Sequence, residues 1–355
     1  MASNDATGRL DWVDVAKGIC IILVVMMHST FGVEKSIASE TALHTFIEWA
    51  RPFRMPDFFL ISGLFLAARI DRPWRAYLDT KVVHFAYFYV LWVNIQFLMK
   101  APGMVRDMGL DGTASFYLLS YLQPFGTLWF IYLLAVFFVA TKLLRDVPWP
   151  LVLACAVFLH VMGIYTGWQV ADEFTDRFVF FYTGYIAARH VLALADRIAR
   201  LPALALMAGL VVWGWLNWRA VEAGVALAAW SDLPFSYAGV LAVITVSVLL
   251  ATAGWGRALG YCGRNSIVIY LAFPVFMAPA RVLLLKVMPL WLAEVSALAT
   301  TAAGVVGALL LFRLVRETRL SFLFIRPRLF RLTGPAAPRG REALRQGVQL
   351  PDLKA

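Results

Sequence analysis

Two ionisable residues stand in one apolar stretch near the N-terminus, KGICIILVVMMHST (17–30). Lys17 opens the stretch and His28 follows eleven residues later. At about 3.6 residues per turn this is almost three turns, so both side chains lie on one face of a helix. Asp14 precedes Lys17 by about one turn, close enough to pair with it. A lysine can bind an anion and a neutral imidazole can accept a proton, so this face carries residues suited to chemistry.

Lys17 and His28 each have a purely structural explanation as well. A lysine at the boundary of a membrane helix commonly extends its amine to the interface. A histidine within the membrane can simply form a hydrogen bond to a neighbouring helix. Their common face favours a functional interpretation, because ionisable residues inside a membrane are costly and mark substrate or ion pathways by default.

A second group of charges surrounds the next apolar segment. Asp57 lies where that segment begins. Four basic residues follow its end: Arg69, Arg72, Arg75 and Lys81. Such a cluster can bind a phosphate-rich ligand through charge-assisted hydrogen bonds. It can equally mark the cytoplasmic side of the membrane, and both explanations stay open at this point.

The composition identifies the elements that must position these residues. Of the 355 residues, 61% are hydrophobic and 15% are charged, and the mean hydropathy is +0.73. Soluble domains have about 45–50% apolar and about 25% charged residues. Segments of about 20 apolar residues cross a bilayer as helices, so we predict an all-α integral membrane protein. The ten expected spans are 15–33, 52–68, 80–99, 126–144, 149–167, 174–191, 202–221, 234–253, 264–285 and 290–312.

The distribution of charge predicts the orientation. With the N-terminus in the cytoplasm, the inner connections hold most of the lysines and arginines, and the outer connections hold most of the acids. This matches the positive-inside rule and places both termini in the cytoplasm. The net charge of +10 is thereby explained without nucleic acid. We divide the chain into a transmembrane domain, 1–320, and a basic tail, 321–355, expected to be disordered and close to anionic membrane lipids.

Five short motifs along the chain resemble those of the type-3 transmembrane acyltransferases. The family has a basic residue, ten intervening residues and a histidine in its first helix, and Lys17 to His28 fit this spacing. The opening LDWVDVAKGICIILVVMMH (10–28) resembles the subgroup of fucose 4-O-acetylase-like proteins. Four other segments are similar to family motifs: MPDFFLISGLFL (55–66), RIDR (69–72), GTLWFIYLL (126–134) and GRNSIVIYLAFP (263–274). The chain has Phe273 where many members have a histidine.

The resemblance implies an enzyme that transfers an acyl group, most often acetyl, from cytoplasmic acyl-coenzyme A. The acceptor would be a hydroxyl of an extracytoplasmic carbohydrate, either a polysaccharide or a lipid-linked sugar. The expected location is the bacterial inner membrane. Acetyl-coenzyme A is the expected donor and no metal is expected. The phosphates of the donor, which cannot enter lipid cheaply, would be bound by the four basic residues after the second span.

His28, Lys17 and Asp14 are the predicted catalytic residues. His28 can act as a general base towards the acceptor hydroxyl, or it can accept the acyl group and pass it on; the sequence leaves both open. Predicted substrate-binding residues, some of which can stabilise an oxyanion, are Asp57, Ser62, Trp129 and Asn265. The alternative to an enzyme is a transporter or flippase of a lipid-linked sugar, although no inverted repeat typical of transporters is evident.

Overall fold

The computed structural model describes residues 11–332, and that range contains helices and no strand. The all-α prediction is confirmed. The helices are α1 (Asp11–Ile37), α2 (Ala42–Trp49), α3 (Arg51–Leu64), α4 (Trp74–Leu78), α5 (His84–Leu119), α6 (Trp129–Leu143), α7 (Trp149–Met162), α8 (Gln169–Ile186), α9 (Ala188–Ile198), α10 (Ala203–Glu222), α11 (Asp232–Thr252), α12 (Arg257–Arg264), α13 (Ser266–Val287) and α14 (Ala293–Val315).

Within the described residues, seven helical segments are long and apolar enough to cross a membrane, or eight if α8 and α9 form one broken span. Each of the ten predicted spans corresponds to a helix. However, α3 and α7 have only 14 residues each, which is about 21 Å at about 1.5 Å per residue. That is shorter than a hydrocarbon core of about 30 Å. The multi-pass prediction is therefore supported, whereas the number of ten spans is not confirmed.

The chain forms two compact units. The described part of unit 1 comprises residues 11–61 and 189–319, with α1, α2, most of α3 and α9 to α14. The described part of unit 2 comprises residues 62–188 and 320–332, with α4 to α8. His28 lies in unit 1, and the four basic residues of the predicted donor site lie in unit 2.

Unit 1 is organised around α1, which contacts α11, α12, α13 and α14. The contact with α12 depends on glycine. A Cβ atom at Gly18 would overlap the backbone carbonyl of Leu259, and one at Gly263 would overlap the carbonyl of Asp14. Small residues allow such close backbone approach between membrane helices, so these two glycines fix the N-terminal half of α1 against α12.

Gly263→Ala is expected to destabilise unit 1, because the overlapping atom belongs to rigid backbone and the helices must separate. Overpacking of this kind typically costs about 1–3 kcal/mol. The matched control is Gly209→Ala in α10, where an added Cβ has no neighbour within 4 Å. Thermal unfolding of the purified protein in detergent compares the two variants. Equal midpoints for both would contradict the proposed packing of α1 on α12.

Contacts of α1 with α13 and α14 show which residues of the three helices lie at the same height along the helix axis. Val33 of α1 packs with Ala297 of α14, and Val25 faces Gly304 of α14. The two helices are therefore antiparallel, with Thr300 at the level of residues 29 and 30. The helix α13 runs parallel to α1, since residue 273 lies beside His28 and residue 281 beside Gly32.

The segment that follows α14 packs against unit 2, which corrects the prediction that the tail is disordered from residue 321. Arg326 is buried, and its guanidinium forms an ion pair of 3.0 Å with the carboxylate of Asp79. The indole of Trp92 donates a hydrogen bond to the carbonyl of Leu323 at 2.9 Å. The tail was expected to be disordered from residue 321, yet residues 321–332 pack against unit 2. The rest of the predicted tail, 333–355, lies outside the described residues.

Candidate active site

The face of α1 that bears Lys17 and His28 is confirmed as helical over its whole length, from Asp11 to Ile37. Lys17 and His28 are each half-buried, whereas most of the residues between them are fully buried. Two polar side chains thus occupy the same side of the helix, separated along its axis by about 16 Å at about 1.5 Å per residue. This arrangement can present two different groups to molecules that arrive from opposite ends of α1.

The imidazole of His28 stacks on the ring of Phe273 from α13. The ring centroids are 5.5 Å apart and the planes are inclined by 30°. Phe273 is completely buried, so it supports one face of the imidazole with a rigid apolar surface. Phe273 therefore packs directly on His28, a contact that the sequence did not reveal.

Three buried hydroxyl groups lie near the level of His28. Ser29 and Thr30 follow it in α1, and Thr300 of α14 reaches the same depth through the antiparallel register of the two helices. All three are completely buried, and their hydroxyl oxygens have no hydrogen-bond partner among the described residues. An unsatisfied buried hydroxyl costs about 1–3 kcal/mol, so these groups are suited to bind a polar ligand or water.

Asp57, predicted to bind substrate, lies in the part of α3 that belongs to unit 1. It is completely buried, and neither carboxylate oxygen has a hydrogen-bond partner among the described residues. A carboxyl group without a partner in an apolar interior is strongly unfavourable, so Asp57 is better explained by function than by stability.

Asp57→Asn is expected to raise the unfolding temperature and to lower acyl transfer about tenfold or more. The amide keeps the size of the side chain and removes the cost of a buried acid, while the acidic group is lost. Ser247→Ala in α11 is the matched control, since Ser247 is also fully buried without a partner. It should raise stability without a loss of transfer. Full transfer by Asp57→Asn would exclude a functional role for the carboxyl group.

A cleft opens at the end of unit 1 that carries Lys17. Its volume is about 390 Å³, and it is lined by Asp11, Val15, Ala251, Gly254, Gly256, Arg257, Gly260 and Arg264. Arg257 and Arg264 are exposed. The guanidinium of Arg264 lies 3.9 Å from the carboxylate of Asp14, which is buried. The cleft therefore combines two cations with glycine backbone, which is suited to bind phosphate groups.

Asn265, the other substrate-binding prediction in unit 1, follows α12 directly. Its side-chain amide donates a hydrogen bond to the carbonyl of Tyr261 at 2.9 Å. This bond satisfies one of the unpaired carbonyls at the end of α12. The structure thus gives Asn265 a capping role, and its predicted role in binding remains a proposal.

In unit 2, the structure gives specific contacts for Arg75 and Lys81, two of the four predicted donor-binding residues. The guanidinium of Arg75 donates to the carbonyl of Leu332 at 2.9 Å, and the ammonium of Lys81 lies 4.2 Å from the centre of the Phe138 ring. Arg69 is exposed and Arg72 is half-buried.

The loop between these basic residues is held by a buried lysine. The ammonium of Lys142 donates to the backbone carbonyls of Ile70 and Arg72, the latter at 2.9 Å. This places the RIDR segment in a defined conformation within unit 2. Ser62 and Trp129, also predicted to bind substrate, are half-buried residues of the same unit.

The seven or eight apolar helical segments of the described residues support a multi-pass membrane protein. Comparison with known proteins gives the family. The chain belongs to the type-3 acyltransferase family, because the model of its acyltransferase domain matches residues 10–313. The resemblance found in its motifs is therefore confirmed.

One curated relative is the "Inner membrane protein YcfT" of Escherichia coli (strain K12). It is 28% identical over 161 residues, a match that covers 39% of this chain and 45% of the relative. The chain thus spans less than half the length of this curated relative. No solved structure matches.

Proposed function

We propose that this protein is an O-acyltransferase that moves an acyl group from cytoplasmic acyl-coenzyme A to a hydroxyl of an extracytoplasmic or lipid-linked carbohydrate. The proposed acyl group is acetyl. The observation that carries the proposal is the face of α1, with Lys17 near the end of unit 1 at which a cation-lined cleft opens and His28 almost three turns away. A donor that enters at the cleft and an acceptor that enters from the opposite end can meet at His28.

The phosphates of the donor are proposed to bind on the cytoplasmic side. The sequence assigns them to Arg69, Arg72, Arg75 and Lys81 of unit 2. In unit 1, the cleft with Arg257 and Arg264 offers a second group of cations close to Asp14. Both groups are suited to bind phosphate oxygens by charge-assisted hydrogen bonds. From the cleft of unit 1, the thinner pantetheine arm can extend along α1 towards His28.

At His28 two routes of transfer are chemically available. In the first, the imidazole takes the proton of the acceptor hydroxyl and the hydroxyl oxygen bonds to the thioester carbon. The carbon–sulfur bond breaks, and coenzyme A leaves as a thiol after it receives that proton. In the second, the imidazole nitrogen bonds to the thioester carbon, the carbon–sulfur bond breaks and coenzyme A leaves as a thiolate. The acceptor hydroxyl oxygen then bonds to the acyl carbon, the carbon–nitrogen bond breaks, and the hydroxyl proton neutralises the thiolate. The unpaired hydroxyl of Thr300 is available to donate to the developing oxyanion in either route.

We further propose that the protein resides in the inner membrane of a bacterium. The proposal is supported by the apolar helices and by the name of the relative, which describes an inner membrane protein.

The test uses the full chain, purified and reconstituted in liposomes. Acetyl-coenzyme A labelled in the acetyl group is supplied together with polysaccharide or lipid-linked sugar acceptors, and alkali-labile label on the carbohydrate is measured. The proposal predicts label on carbohydrate that is absent from protein-free liposomes. Movement of unmodified sugar across the bilayer without any acylation would instead identify a transporter.

A further inference from the structure

Arg281 is a charged residue inside an apolar membrane helix. It lies in α13 (Ser266–Val287), six residues before the helix ends, and it is half-buried. The helix is apolar enough to cross a membrane. A cation at such a position is costly and marks a functional site by default, and neither the motifs nor the proposed transfer route accounts for it.

The guanidinium of Arg281 lies directly over Gly32 of α1. A Cβ atom at residue 32 would overlap Nη1 of Arg281, so the arginine uses the space that the glycine leaves. Gly32 follows His28 by four residues, which is about one turn and about 6 Å along the same face of the helix. The guanidinium is therefore held just beyond His28, on the side away from Lys17.

No described residue forms an ion pair or a hydrogen bond with the Arg281 side chain. Two carboxylates at this end of unit 1 have other partners. Glu34 accepts from His44 at 2.9 Å and from the Thr41 hydroxyl at 2.9 Å, and Glu294 accepts from the backbone N–H of Ala42 at 3.2 Å.

The pairing with Glu34 is strong enough to affect His44, which lies outside the membrane-spanning segments. The hydrogen bond to Glu34 raises the pKa of His44 above its usual value. This histidine therefore neutralises Glu34 when it is protonated. The guanidinium of Arg281 has five N–H donors. These donors are therefore available to an acceptor that is not part of the described chain.

We propose that Arg281 binds an oxyanion of the carbohydrate acceptor, a carboxylate or a phosphate, and so presents a neighbouring hydroxyl to His28. The planar fork of a guanidinium matches both groups with two parallel hydrogen bonds. The acceptor would then be an acidic sugar. This inference rests on the proposed acyltransferase function and specifies its acceptor.

The primary test is equilibrium binding to the full chain in detergent free of phospholipid, which removes lipid phosphate as a competing ligand. Two pairs of probes are used: a glucuronic-acid oligosaccharide with its carboxyl-reduced counterpart, and a sugar phosphate with its dephosphorylated form. The wild type is expected to bind the acidic member of at least one pair about tenfold more tightly. Arg281→Gln should abolish this preference, and Arg281→Lys should retain part of it.

Three further variants separate this role of Arg281 from general effects on charge and folding. Lys286→Gln removes an exposed cation five residues further along the same helix and should keep the preference. Gly32→Ala should reduce the preference, because its Cβ displaces only the flexible end of Arg281. Gly103→Ala, where an added Cβ has no neighbour within 4 Å, should not.

Equal binding of both members of each pair by the wild type, or an unchanged preference in Arg281→Gln, would overturn the inference. Transfer assays with the same probes separate it from the proposed function. If Arg281-dependent binding is present but no probe is acylated, the proposed function fails and the anion site stands. If Arg281 accelerates transfer only from succinyl-coenzyme A to a neutral sugar, the bound carboxylate belongs to the donor and the acceptor proposal is wrong.

Discussion

His28→Ala is expected to lower the rate of acyl transfer about 10²-fold or more. A general base positioned by the protein contributes about 10²–10⁴ to a rate, and a nucleophilic histidine would contribute at least as much. The imidazole of His28 stacks on Phe273. At the same depth of unit 1 lie hydroxyl groups that have no hydrogen-bond partner among the described residues. The measurement is the initial rate of label transfer from acetyl-coenzyme A in liposomes, with equal amounts of inserted protein.

The matched control for this variant is His190→Ala. His190 lies in α9 of the same unit and is exposed, so its removal should leave the rate unchanged. The unfolding temperature of His28→Ala, measured in the same preparation, establishes that the variant is folded. Wild-type transfer by a well-folded His28→Ala protein would exclude both catalytic routes. Acid quenching during turnover followed by mass spectrometry separates the routes, since only the nucleophilic one produces an acylated His28.

Arg326→Gln is expected to produce the largest loss of stability, about 3–5 kcal/mol, which is typical when one partner of a buried ion pair is removed. The guanidinium donates to the carbonyl of Asp79 at 2.7 Å and forms an ion pair with its carboxylate. The same carboxylate accepts from the backbone N–H of Leu332 at 2.8 Å. The variant leaves a buried negative charge uncompensated, and the segment 320–332 should detach from unit 2.

Thermal or denaturant-induced unfolding, followed by tryptophan fluorescence, measures this loss. Arg328→Gln is the control, because Arg328 is exposed two residues away and surface changes usually stay within about 0.5 kcal/mol. Replacing both Asp79 and Arg326 with leucine should recover much of the stability, since apolar residues can substitute for a buried pair. Equal stability of Arg326→Gln and Arg328→Gln would show that the pair does not hold the segment.

The helical architecture could be predicted because each apolar segment of the sequence folds as a helix. Hydropathy did not predict the ends of the helices. The run expected at 80–99 lies in α5, which continues to Leu119 through a break at Gly109. The run expected at 174–191 is divided at Ala187 between α8 and α9. Hydropathy reports how apolar a segment is, whereas the ends of a helix depend on local backbone geometry and packing.

The common face of Lys17 and His28 was predictable because both belong to one helix, whose period fixes their relation. The contacts of His28 were not, because Phe273 and Thr300 come from segments that only the fold brings to α1. Arg281 left a visible signal in the sequence, a cation within the apolar run that became α13, five residues before the lysine of its last turn. Its relation to His28 depended on Gly32, whose contacts the sequence does not specify.

The central claim is that His28 serves the transfer of an acyl group from a donor on the cytoplasmic side to an acceptor on the other side. The direct measurement uses liposomes with one orientation of the protein, labelled acetyl-coenzyme A on the cytoplasmic side only, and an impermeant carbohydrate on the other. The account predicts label on the carbohydrate with the wild type and about 10²-fold less with His28→Ala. Absence of labelled carbohydrate with the wild type, or equal labelling by both proteins, would contradict it.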